Sequence, residues 1–191
     1  MNNKPHQTPI AGTLRVPLPP EELWPALINP DYWENSLPGC LYCQRFNDNQ
    51  FQGRVILPHG PGEGVYQGVI TLSQINPSHS YRLSLQSGGG GSTIRGNGRV
   101  DLIATTDGTE IRYDGNIVVD GTLNDYPQRL HQTWLRSLIR QGVEGVVAQA
   151  RGQKPAHTGL TATHTHHHPW RRWALVGGAF AFAYRWWTRR N

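Results

Sequence analysis

The chain has 191 residues, 18 basic and 13 acidic side chains and a net charge of +5, a length that suits one domain plus an extension. The charge is unevenly placed: residues 1–150 carry eleven Lys or Arg against thirteen Asp or Glu, or −2, while residues 151–191 carry seven basic side chains and no acid, or +7. The overall basicity therefore describes the tail and not the body, and a tail of this kind meets an anionic surface, membrane or nucleic acid. The N-terminal Met1-Asn2-Asn3-Lys4-Pro5 lacks the apolar stretch of a signal peptide, so the body is expected in the cytoplasm.

Ile10 to Val16 is the first strand candidate, ended by Pro17, Pro19 and Pro20. Pro20-Glu21-Glu22 suits a first helical turn, with proline early and acids at the positive end of the helix dipole. Glu21 to Ile28 and Asp31 to Leu37 read as two short helices broken at Asn29-Pro30, with Leu23, Trp24, Leu27 and Ile28 as their apolar stripe. Cys40 and Cys43 form a lone C-x-x-C. A redox role would need a following helix, and a zinc site two more ligands, so reduced structural thiols are expected.

From Cys40 to Asp120 the pattern is one of about six strands. Arg54 to Leu57, Val65 to Ile75, Tyr81 to Gln86, Gly98 to Ala104 and Glu110 to Val119 show partial or full alternation. Asn76-Pro77-Ser78 and Thr106-Asp107-Gly108 read as hairpin connectors, and Gly88-Gly89-Gly90-Gly91 as a hairpin or bulge, since no Lys-Ser/Thr pair follows to make a phosphate loop. With no helices between the strands, the sheet should be antiparallel. Leu123, Tyr126, Leu130, Trp134, Leu138, Gly142 and Val146 then recur at helical spacing from Asn124 to Gln149. A curved antiparallel sheet gripping this long helix, an α+β architecture, satisfies the apolar faces.

The stretch Asn29-Pro30-Asp31-Tyr32-Trp33-Glu34-Asn35-Ser36-Leu37-Pro38-Gly39-Cys40 resembles the signature of the CoxG-like family of carbon monoxide dehydrogenase accessory proteins. Gly64 to Ile70, Asn76 to Leu83, Gly96 to Val100, Gly108 to Tyr113 and Gly121-Thr122-Leu123 resemble further family segments in the same order, over about residues 10–150. Asp125-Tyr126-Pro127 departs from the family's usual glycine-containing helix entry, so the mouth of any cavity beside it is expected to differ. The resemblance implies a START-like (SRPBCC) helix-grip fold and a non-catalytic accessory protein. Such a protein would recruit a molybdenum hydroxylase of the carbon monoxide dehydrogenase type to the cytoplasmic membrane and bind a quinone-like lipid, with no other cofactor. The alternatives are a free-standing lipid or quinone carrier and a polyketide-cyclase-type enzyme.

Residues 151–169, with Pro155, Gly159 and a threonine–histidine tract, read as a linker. Its His164, His166, His167 and His168 are dense enough to bind a transition metal weakly, but a linker lacks the fixed geometry of a metal site. Beyond it, residues 170–191 read as a membrane-associating helix. Trp170, Arg171, Arg172 and Trp173 open it, Arg185, Trp186, Trp187, Arg189 and Arg190 close it, and uncharged Ala174 to Tyr184, with Phe180 and Phe182, lies between. Indole rings favour the headgroup level and arginines the lipid phosphates. Trp173 to Trp187 as a helix spans roughly 21 Å against a hydrocarbon core of about 30 Å, so a helix lying in the cytoplasmic leaflet and one spanning it both stay open. Nucleic acid is not expected as the partner, because the uninterrupted apolar run would serve no purpose on a phosphate backbone.

For a ligand cavity, Tyr126, Leu130, Trp134 and Leu138 are expected on the helix wall, with Tyr66, Ile70, Tyr81, Leu83 and Ile117 on the sheet opposite. Each of these could equally fill a solid core. His131, one turn from Trp134 and Leu135, is expected on the helix surface or in a groove rather than as a base. No catalytic constellation emerges, and the carboxylates stand singly on strands and turns.

Overall fold

The computed structural model describes residues 6–57 and 63–153. The chain runs β1 (His6–Val16), α1 (Pro20–Leu27), α2 (Pro30–Ser36), β2 (Cys40–Asn47), β3 (Gln50–Leu57), β4 (Gly64–Asn76), β5 (Ser80–Gly89), β6 (Ser92–Thr105) and β7 (Gly108–Gly121). A 3-10 turn (Thr122–Asp125) and the long helix α3 (Gln128–Ala150) follow. The seven strands form one sheet in the order β1-β7-β6-β5-β4-β3-β2, with every neighbouring pair antiparallel. The α1–α2 pair carries the chain from one edge of the sheet to the other, and α3 returns across the concave face.

Local chemistry sets these boundaries. Pro20 starts α1 with Glu21 and Glu22 in its first turn, and Asn29 caps α2 by accepting the Asp31 N–H at 3.1 Å ahead of Pro30, the capping role to which asparagine is suited. Gly90 and Gly91 take φ of +54° and +74° between the paired Gly89 and Ser92. Two left-handed residues make the tight turn whose twist matches flanking strands, so the glycine run is a hairpin. The helix expected from Asn124 begins instead at Gln128, because the 3-10 turn and Pro127 occupy the entry. The expected linker from Lys154 onward, with its histidine tract, and the residues from Trp170 to Arg190 expected to contact the membrane lie outside the described residues. Among the described residues no helix is long and apolar enough to cross a membrane.

Candidate ligand site on the concave face

Strand alternation sends one set of side chains inward, and those side chains gather into two clusters rather than one. The first holds Phe51, Leu72, Tyr81, Val100, Leu102 and Ile111 from the sheet, with Leu23, Trp24 and Leu27 of α1 and Val143, Val146 and Val147 of α3. The second holds Ile10, Leu57, Tyr66, Ile94, Ile117, Val119 and Leu123, against which Trp134, Leu135 and Ile139 of α3 pack only partly buried.

Between them runs a band of inward positions that carry no side chain. Gly12 pairs with Tyr113, Gly115 with Gly98, Gly96 with Ile117, and Gly53 with Gly68, so glycines recur across five strands. At Gly115 a β-carbon would stand 2.2 Å from the Asn97 carbonyl oxygen, which shows how closely β6 and β7 approach there. At Gly12 it would stand 2.3 Å from the Tyr113 hydroxyl. Tyr113 bridges the band and packs on both clusters, and burial raises its pKa, with the Arg136 charge opposing in part. Around this band Ile70, Leu83, Leu85, Gly96 and Gly98 belong to the inward rows and yet remain partly exposed. The concave face is therefore buried at both ends, with a partly exposed band between the two clusters.

The sequence-predicted wall residues divide between these environments. Tyr81 is a core residue, 6% exposed and edge-on to Trp24 with ring centroids 5.8 Å apart; burial alone raises its pKa. Tyr66 and Ile117 belong to the second cluster, while Ile70 and Leu83 fringe the first. On the helix only Trp134 packs into a cluster. Leu138 is partly buried and in neither, and Tyr126 and Leu130 are 42% and 45% exposed. Tyr126 precedes the helix and Leu130 lies in its first turn, on the side turned away from the buried His131. Leu85, Leu135 and Ile139 are apolar positions legible in the sequence but left off the predicted wall, while Tyr113 and the glycine band were missed; the last becomes visible only once cross-strand register is known.

His131 is also displaced from its expected position on the surface or in a groove. It is 3% exposed, with Nε2 2.9 Å from the Leu123 carbonyl oxygen. Cys40 and Cys43 are free. Their thiols are pushed up to about 12 and about 11 by burial first, then by each other's charge at Cys40 and by Glu34 at both. Protonated thiols are poor nucleophiles and poor ligands. No group of three or more His, Cys, Asp or Glu among the described residues is placed to hold a metal. On the outer face a shallow depression of about 360 Å³ is lined by Asn76, His79, Arg99, Asp101 and Arg112. Its charges are spoken for: Arg99 pairs with Asp101 at 2.7 Å, and Arg112 with Glu110 at 2.7 Å.

Comparison with known proteins places this geometry. The structure is similar to a conserved protein from Geobacillus kaustophilus, with a TM-score of 0.69 and 20% identity over 77% of this chain and 96% of that one. It is similar to Ara h 8.0201, with a TM-score of 0.56 and 13% identity over 78% and 100%. It also resembles the Zhui aromatase/cyclase from Streptomyces sp. R1128, with a TM-score of 0.55 and 10% identity over 81% and 100%. At these identities the likeness shows the fold, which is the helix-grip, START-like one. No curated protein matches the sequence. Residues 12–151 match the family model of the carbon monoxide dehydrogenase CoxG subunit, and the chain belongs to that family.

Proposed function

We propose that the chain is a non-catalytic accessory subunit that recruits a molybdenum hydroxylase of the carbon monoxide dehydrogenase type to the cytoplasmic face of the cytoplasmic membrane. In this reading a quinone-like lipid binds at the partly exposed band of the concave face. The observation that carries the reading is that partly exposed inward band in a chain of this family. A solid core would bury Leu83 and Leu85 as it buries Leu72 and Leu102, whereas here the inward rows around the glycine band stay partly exposed. A band of glycine backbone with Tyr113, Trp134 and Leu135 nearby would suit a flat apolar ring. The family name supplies the enzyme partner, and the Trp170–Arg190 segment supplies the chemistry of lipid contact.

The division of labour is tested by removing residues 169–191 in a cell that makes the dehydrogenase. Both proteins should leave the membrane pellet for the supernatant, and mass spectrometry of the full-length protein purified from membranes should find a quinone-class lipid. A truncated protein that still pellets with membranes defeats the tail assignment.

A further inference from the structure

In or beside the second cluster, three side-chain polar atoms are buried and lack a hydrogen-bond partner among the described residues: Thr8 Oγ1, the Tyr66 hydroxyl and His131 Nδ1. Their residues are 0%, 5% and 3% exposed. Each such group costs about 1–3 kcal/mol when left unpaired, so the three are an unmet demand for hydrogen-bond partners.

Each is linked to the entry or the first turns of α3. Gln128 and Gln132 of α3 donate to the carbonyls of Gln7 and Pro9, both at 3.0 Å, and so tie the helix to β1 on either side of Thr8. The Tyr66 hydroxyl lies beside the Ser92 hydroxyl, without a hydrogen bond of normal geometry to it; burial raises its pKa and Ser92 opposes in part. Ser92 is itself engaged, accepting the Leu123 N–H at 2.9 Å and pairing with Thr122 Oγ1 at 2.9 Å. Leu123 is the residue whose carbonyl holds His131.

That carbonyl also fixes the tautomer. A carbonyl oxygen only accepts, so His131 Nε2 carries the hydrogen, and in the neutral ring Nδ1 presents a lone pair. The lone pair needs a donor, while the Thr8 and Tyr66 hydroxyls can each give or receive. We propose that this end of the concave face anchors the ring hydroxyl of an apolar ligand, a phenol or hydroquinone rather than the corresponding carbonyl form. The ligand O–H donates to His131 Nδ1, and its oxygen accepts from Thr8 or Tyr66. A quinone carbonyl could accept from Thr8 or Tyr66 but would leave the His131 Nδ1 lone pair without a donor, so the site favours the reduced form. The inference rests on the concave face being an apolar-ligand site and adds which head group it prefers.

The test uses the full-length protein and two probes of nearly equal shape, 1-naphthol and 1-fluoronaphthalene. Naphthol should bind about tenfold more tightly or better, the size of one buried hydrogen bond. His131→Phe should bring the two within about twofold by weakening naphthol alone. In the wild-type protein, where folding of the variant is not at issue, the ¹⁵N resonance of His131 Nδ1 should shift with naphthol and stay put with fluoronaphthalene. Equal affinities, discrimination that survives in folded H131F, or an Nδ1 resonance that responds to neither probe or to both alike would overturn the anchor while leaving the apolar site standing. If neither probe binds, the anchor and the apolar site fall together.

Discussion

Along the 23 residues of α3, the stretch from Gly142 to Val147 is buried apart from Glu144, whereas from Gln128 to Gln141 only His131 is fully buried. Both halves carry apolar residues at helical spacing, so amphipathicity does not account for the difference. Side-chain size does. A β-carbon at Gly145 would lie 2.7 Å from the Ser36 Cβ and 2.9 Å from its Cα, and one at Gly142 would lie 2.9 Å from the Trp33 ring. Glycine on the crossing face lets α2 and α3 close together, and Gln149 then reaches the Tyr32 carbonyl at 2.8 Å. In the other half Trp134, Leu135 and Leu138 occupy that face, over a sheet whose own side chains are interrupted by glycine. The wall is bulky where the floor is bare. The C-terminal half of α3 is sealed against α2, while its N-terminal half is left partly exposed.

The sharpest way to break this comparison is to truncate the closed half. Leu23 is 0% exposed in the first cluster, and Leu23→Ala should cost about 3–4 kcal/mol in urea unfolding, the transfer loss plus the cavity left behind. A loss near 1 kcal/mol would mean that the first cluster does not bear the stability assigned to it. The thiols report on the edge of the same half, since Cys43 packs against the first cluster. With its pKa raised to about 11, Cys43 should be alkylated at pH 8 roughly 100-fold more slowly in the folded chain than in urea. Because the folded value lies above the unfolded one, the associated stability is intact at neutral pH and is lost as pH rises toward 11. Equal labelling rates in the two states would show that this edge opens freely.

Much of this architecture is legible in the residues. The prolines at 17, 19 and 20, the Asn29-Pro30 cap and the alternation of Tyr81, Leu83 and Leu85 are local signals, and the strands and short helices fall where they point. The two-ended character of the grip is not local. Gly12, Gly53, Gly68, Gly98 and Gly115 look like scattered turn formers until five strand registers align them. His131 reads as a polar helix residue because its partner, the Leu123 carbonyl, lies eight positions earlier in a turn whose course the helical period does not reveal. Tyr126 and Leu130 continue the apolar stripe of α3 but stay exposed, since a stripe specifies a face without saying whether anything covers it.

The smallest effect is the most discriminating. Leu138 lies in the open half of α3, partly buried and in neither cluster. Removing its methyl groups takes away surface that water already reaches and leaves no sealed cavity behind, so the larger part of the usual Leu→Ala cost is absent. Leu138→Ala should therefore lower stability by about 0.5 kcal/mol, a shift close to the resolution of a urea midpoint, while changing how an apolar probe binds. If it costs as much as Leu23→Ala, the two ends of α3 are packed alike, the partial exposure around the glycine band is not room for a guest, and the ligand site proposed on it disappears.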